Sequence, residues 1–181
     1  MHSAVIKFWA KTLPNSAPGI SVRDHCLNVG CVAGALMERS GKTLFDLIPQ
    51  GSATLAALHD IGKISTGFQS KCPAWLEQAG LSEVALRERW REHSESDHAK
   101  VSQYFLERAL KPFGTQLWAV SAGVHHGRIF GRRIAEPDCA RIAEREAWEK
   151  EEREKLLFEL ISLLGPLPAQ PPQDAGLWFV A

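Results

Sequence analysis

Cysteine is sparse and badly spaced for a structural knot: Cys26, Cys31, Cys72 and Cys139 contain no Cys-x-x-Cys pair. A disulfide framework and a zinc ribbon are excluded, and a reducing compartment is the simplest home. Net charge of one sign is absent, because 21 Lys and Arg balance 21 Asp and Glu. That argues against coating nucleic acid by bulk charge and leaves a local basic patch open. Long apolar runs are missing too: none reaches the ~18 residues that span a bilayer. Residues 1–11 carry no apolar stretch of signal-peptide length, so no membrane partner and a cytoplasmic location are expected. Strand signals are weak throughout, and no internal repeat is visible. What is present is ordinary globular composition, 45% apolar and 23% charged over 181 residues, which suits one domain with a real core.

Helical periodicity dominates and predicts an all-α fold. Residues 24–39 carry Leu27, Cys31, Val32, Leu36 and Met37 at three- and four-residue spacing, ending before Gly41. Residues 53–61 form a short apolar helix with Ser52 as N-cap and Gly62 as the break. A charged surface helix is expected over 82–92, and another over 98–110 capped by Asp97. Thr115 caps a helix running to about His126 and stopped by Gly127, and Pro137 opens a long helix to Leu164. The charged run 144–155 is expected to be a solvated helix face with i,i+4 pairs. Proline-rich loops cover 12–20 and 165–176.

The chemistry concentrates in histidine. Of seven histidines, His25 and His98 open helices, while His59-Asp60 and His125-His126 end helices, each doublet followed closely by glycine. Successive residues on a helix point about 100° apart, so adjacent ligands converge on one pocket most easily where the backbone turns. Imidazoles with one carboxylate suit a first-row transition metal better than magnesium. An aspartate between two centres can bridge them, and paired metals clamp the attacking and leaving oxygens of a phosphoryl displacement. A single histidine is more often a hydrogen-bonded core or surface residue than a ligand, which is the assignment for His2 and His93. The remaining set demands a joint explanation, because buried imidazoles left metal-free are costly to satisfy or repel when protonated. Lys63, three residues past Asp60, is positioned to reach a phosphate or leaving-group oxygen; alternatively it is a surface lysine. Arg128, Arg132 and Arg133 either hold a DNA phosphate backbone entering the site or form a solvated loop.

His59-Asp-Ile-Gly-Lys63 resembles the motif of the HD superfamily of metal-dependent phosphohydrolases. Phe8-Trp-Ala-Lys11, Asp24-His25, Phe68-Gln69 and His125-His126-Gly127 narrow the likeness. Together they resemble the HD nuclease domain of the CRISPR-associated helicase–nuclease of type I interference systems, over nearly the whole chain from Phe8. The resemblance implies a helical domain, 1–181, with two divalent ions of the manganese, nickel, cobalt or iron class. It implies Asp60 and Lys63 as catalytic, His25, His59 and Asp60 as one ligand set, and Asp60, His98, His125 and His126 as the other. His98-Ala-Lys-Val-Ser102 matches the family's histidine with a serine four residues on, which His93 lacks.

One feature departs from the pattern. The family supplies a further aspartate from a late helix, and here the only late acid is Asp174, in the proline loop. The resemblance therefore implies a chain cut short before its last helix, lacking the helicase domains, with the His25 side more loosely held. The implied substrate is single-stranded DNA, degraded by endo- or exonucleolytic phosphodiester cleavage during antiviral interference. The implied partners are the helicase portion of the same protein and an RNA-guided surveillance complex. Two other readings stay open: a phosphohydrolase of nucleotides or small phosphoesters, and a non-catalytic helical module with an incomplete metal site.

Overall fold

The computed structural model describes residues 7–39, 48–127 and 144–169. Within them the fold is all-α, and the only β-type pairings are two isolated bridges, Trp9 with Ser21 and Thr12 with Pro18. In chain order the helices are α1 (Val22–Arg39), α2 (Ser52–Ala57), α3 (Thr66–Gln69), α4 (Pro73–Gln78) and α5 (Ser82–Arg87). They continue with α6 (Trp90–His93), α7 (His98–Ala109), α8 (Ala119–Gly123) and α9 (Ala147–Leu164). A 3₁₀ turn, Leu58–Lys63, runs directly on from α2 and carries the His-Asp pair. No described helix is long and apolar enough to cross a membrane.

The main core lies among α1, α2, the 3₁₀ turn, α7, α8 and α9, where Leu55, Leu58, Ile61, Phe105, Leu106, Leu157 and Leu160 are buried together. A second, aromatic cluster gathers Trp9, Phe68, Trp75 and Trp90. Phe8 and Trp148 stack at 5.2 Å between centroids and touch both clusters, so the two cores are continuous.

Several expected boundaries shift, each for a physical reason. On α1 the buried residues are Val22, Cys26 and Gly30, while Cys31, Val32 and Leu36 are exposed. Two apolar stripes share this helix, and the smaller one faces inward because α1 lies close on α2: a Cβ at Gly30 would overlap Leu164 and touch Ala57. Ser52 is the first residue of α2 rather than its cap, which is Gly51 in a left-handed conformation. The expected 82–92 helix breaks at Arg89, whose φ is 50°, so that Trp90 enters the aromatic core fully buried. A left-handed residue costs roughly 1–2 kcal/mol, and burying an indole offsets it. Thr115 makes no side-chain cap, and the chain passes through a 3₁₀ turn, Gln116–Trp118, before α8. Asp97 does cap α7, accepting from the amides of Ala99 and Lys100.

The long helix begins at Ala147 under a capping box of Glu146 and Glu149, not at Pro137, which lies outside the described residues. Its charged start is solvated on one face, where Lys150 and Glu154 form the expected i,i+4 pair at 3.9 Å, but not on the other. Glu149 and Arg153, one turn apart, are both completely buried. Glu149 accepts from the Thr66 amide at 2.5 Å, and Arg153 donates to the Ile64 carbonyl at 3.0 Å. The pair anchors the backbone immediately after the His-Asp turn.

Candidate metal centre

The centre is built around Asp60, 3% exposed, on the 3₁₀ turn. A continued α-helix would fan His59 and Asp60 apart, whereas the tighter turn aims both at one point. Gly62 is required there by close approach: a Cβ would overlap the His98 carbonyl and the Ser102 amide. The two Asp60 oxygens face different partners. Oδ2 lies 2.8 Å from His25 Nε2, 3.2 Å from His59 Nε2 and 2.6 Å from Lys63 Nζ. Oδ1 lies 3.0 Å from His98 Nε2 and 3.3 Å from His125 Nε2. His126 Nε2 meets His98 Nε2 at 2.9 Å.

Thus α1, the 3₁₀ turn, α7 and the segment after α8 bring together every expected ligand. Their donor atoms form two groups, His25-His59-Asp60 and His98-His125-His126, each able to hold a cation. His93 is exposed on α6, as expected of a residue outside the site. His2, Cys139, Asp174 and the arginines Arg128, Arg132 and Arg133 lie outside the described residues.

Backbone carbonyls fix two tautomers. His59 Nδ1 faces the Ala56 carbonyl at 2.8 Å, and His125 Nδ1 faces the Ala122 carbonyl at 2.6 Å. A carbonyl only accepts, so each Nδ1 carries the proton and each Nε2 of a neutral ring presents a lone pair. Those lone pairs point at the Asp60 carboxylate. Among the described residues, Asp60 Oδ1 and His125 Nε2 are buried with no hydrogen-bond partner despite their 3.3 Å separation. Two acceptors facing one another underground repel unless a cation lies against both or the ring is charged. This donor set fits a divalent transition metal, and the carbonyl behind each imidazole is the usual second support of such ligands.

The electrostatics agree. Burial pushes the Asp60 carboxyl up, and where the facing Nε2 atoms of His125, His25, His59 and His98 carry protons their hydrogen bonds outweigh it and hold the group far below the usual carboxylate range, the part a cation takes when the rings are neutral. Burial lowers the His98 imidazole against the pull of Asp60. Burial and the neighbouring His125 and His98 rings lower His126. An ionised carboxylate beside imidazoles, two of them pushed toward the neutral form, is a ligand set ready for a cation.

The supporting contacts were only partly foreseeable. The Gln69 side chain donates to the Trp9 carbonyl at 3.0 Å and the Lys63 carbonyl at 2.8 Å, and accepts from the Trp9 amide at 3.2 Å. This ties Phe8-Trp-Ala-Lys11 to Phe68-Gln69 and to the end of the His-Asp turn. Ser102, one turn after His98, donates to the His59 carbonyl at 2.8 Å and accepts from the Gly62 amide at 2.9 Å. Glu149 and Arg153 were missed. The Glu146-x-x-Glu149 spacing of a capping box was their one local signal.

Residues 9–176 match the family model of the HD domain of Cas3. No curated protein and no solved structure matches the chain. Match and architecture agree on a helical domain. The chain belongs to the Cas3 HD-domain family of CRISPR-associated, metal-dependent nucleases.

Proposed function

We propose that this domain hydrolyses phosphodiester bonds of single-stranded DNA, using two divalent transition-metal ions, as the degradative step of type I CRISPR interference. The observation that carries the reading is the Asp60 carboxylate, whose two oxygens face separate imidazole groups. His25, His59 and Asp60 would hold one ion, and His98, His125, His126 and Asp60 the other. When bound, such a pair supplies Lewis-acid charge that makes water a nucleophile at neutral pH and offsets charge on the phosphoryl oxygens.

The chain's own residues do the rest. Asp60 stays ionised and shared. The carbonyls of Ala56 and Ala122 hold His59 and His125 with Nε2 toward the centre. Lys63 brings a fixed ammonium, 2.6 Å from Asp60 Oδ2, within reach of a non-bridging or leaving oxygen of the scissile phosphate. Arg128, Arg132 and Arg133 would hold the strand by its phosphates, consistent with a chain that has no excess of positive charge elsewhere. The partners of this reading are the helicase portion of the same protein and the RNA-guided complex that exposes the displaced strand. Its setting is the cytoplasm.

The test offers the manganese-loaded chain a single-stranded circle, a relaxed closed duplex circle and nucleoside triphosphates. The expected result is cleavage of the single-stranded circle alone. Hydrolysis of the nucleotides with an intact circle would establish a small-phosphoester hydrolase instead. No hydrolysis and no bound metal would establish a non-catalytic module.

A further inference from the structure

The Ser102 hydroxyl is completely buried and bonded on both sides to the His-Asp turn: it donates to the His59 carbonyl at 2.8 Å and accepts from the Gly62 amide at 2.9 Å. Both groups belong to the backbone that brackets Asp60. Ser102 itself sits on α7 one turn after His98, on the same face. The contact is so close that Gly62 has no room for a Cβ against the His98 carbonyl and the Ser102 amide. Two independent features, a double hydrogen bond and a glycine close approach, therefore fix the turn to the first coil of α7.

The four rings around Asp60 reach it by different routes. His59 shares its turn, and His25 comes from α1. His98 comes from α7, and its separation from Asp60 Oδ1, 3.0 Å, is set by how the turn docks on that helix. We infer that Ser102 is a positioning residue that fixes the spacing between the two cation-binding halves of the centre. The inference rests on the two-ion reading above. Loss of the hydroxyl removes the bonds that α7 gives to a carbonyl and an amide of the turn, loosening the turn from α7. The gap opens between Asp60 and His98, while the His25-His59-Asp60 half, none of whose ligands comes from α7, stays assembled. The effect is selective for one half, unlike a general loss of stability.

The experiment titrates the purified chain and its Ser102→Ala variant with manganese by calorimetry and records electron paramagnetic resonance at the manganese concentration that just fills both sites of the parent. The parent is expected to bind two ions that share a bridge and give a spin-coupled signal. The variant is expected to bind the second ion at least ~10-fold more weakly, the usual size of an outer-support deletion, and to show the six-line signal of an isolated ion. Leu160→Ala, a core truncation on α9, a helix that carries no ligand, serves as the stability control and is expected to keep the coupled signal. If Ser102→Ala does not fold, Ser102→Thr and Ser102→Val replace it, since they share a shape and differ only in the hydroxyl. Coupling is then expected in the threonine variant and lost in the valine one. Parent-like affinity and coupling without the hydroxyl overturn the role of Ser102. A parent chain that never holds a coupled pair overturns the two-ion reading instead.

Discussion

Lys63 Nζ lies 2.6 Å from Asp60 Oδ2 within one 3₁₀ turn, and both side chains are buried. A buried ammonium held by one carboxylate oxygen is preorganised to meet a phosphate that approaches the same carboxylate. Lys63→Gln is therefore expected to lower kcat on single-stranded DNA by about 100-fold, the scale of removing one charge-stabilising donor. Metal content, read by elemental analysis, is expected to stay at the parent level. A rate equal to the parent's would place Lys63 outside the chemistry.

Among the described residues, Asp60 is the one carboxylate that faces both imidazole groups. Asp60→Ala is expected to abolish nuclease activity and strip most bound divalent metal, with the far-ultraviolet dichroism of the helices unchanged. Persistent cleavage by that variant would place the centre elsewhere.

Metal choice follows from the ligands. Five imidazoles and one carboxylate favour manganese, cobalt, nickel or iron over magnesium, which demands oxygen ligands. After exhaustive chelation, cleavage restored by manganese or nickel should exceed that restored by magnesium at equal concentration. Equal rates would contradict this ligand set.

Glu149 carries a structural prediction. Its carboxylate accepts from the amides of Thr66 and Glu146 while fully buried. Glu149→Gln puts an NH₂ against one of those donors. An unmet buried pair costs about 1–3 kcal/mol, so the urea midpoint should fall accordingly. An unchanged midpoint would mean that the contact is dispensable.

Legibility differed sharply between residues. The histidine doublets could be read from the chain because their placement at helix ends before glycine is local information, and the turn at Leu58–Lys63 is where the His-Asp ligands converge. The preference for His98 over His93 rested on a serine four residues on, and Ser102 supplies the reason: its hydroxyl grips the His59 carbonyl. Glu149 and Arg153 were opaque. A run such as Glu-Lys-Glu-Glu-Arg reads as solvent-facing, and only a partner far away in sequence, the backbone of Ile64 and Thr66, makes burial favourable.

By itself the sequence determined the helical class, the cap of α7 at Asp97, and the residue types able to bind a cation, because these depend on short-range periodicity and side-chain chemistry. Tertiary structure alone decided which stripe of α1 faces inward, where the 82–92 segment breaks, and how the ligands divide between the two oxygens of Asp60. Each of those outcomes depends on distances between segments far apart in the chain. Such distances are set by packing and by the need to satisfy buried backbone groups, and neither is written in any local stretch of residues.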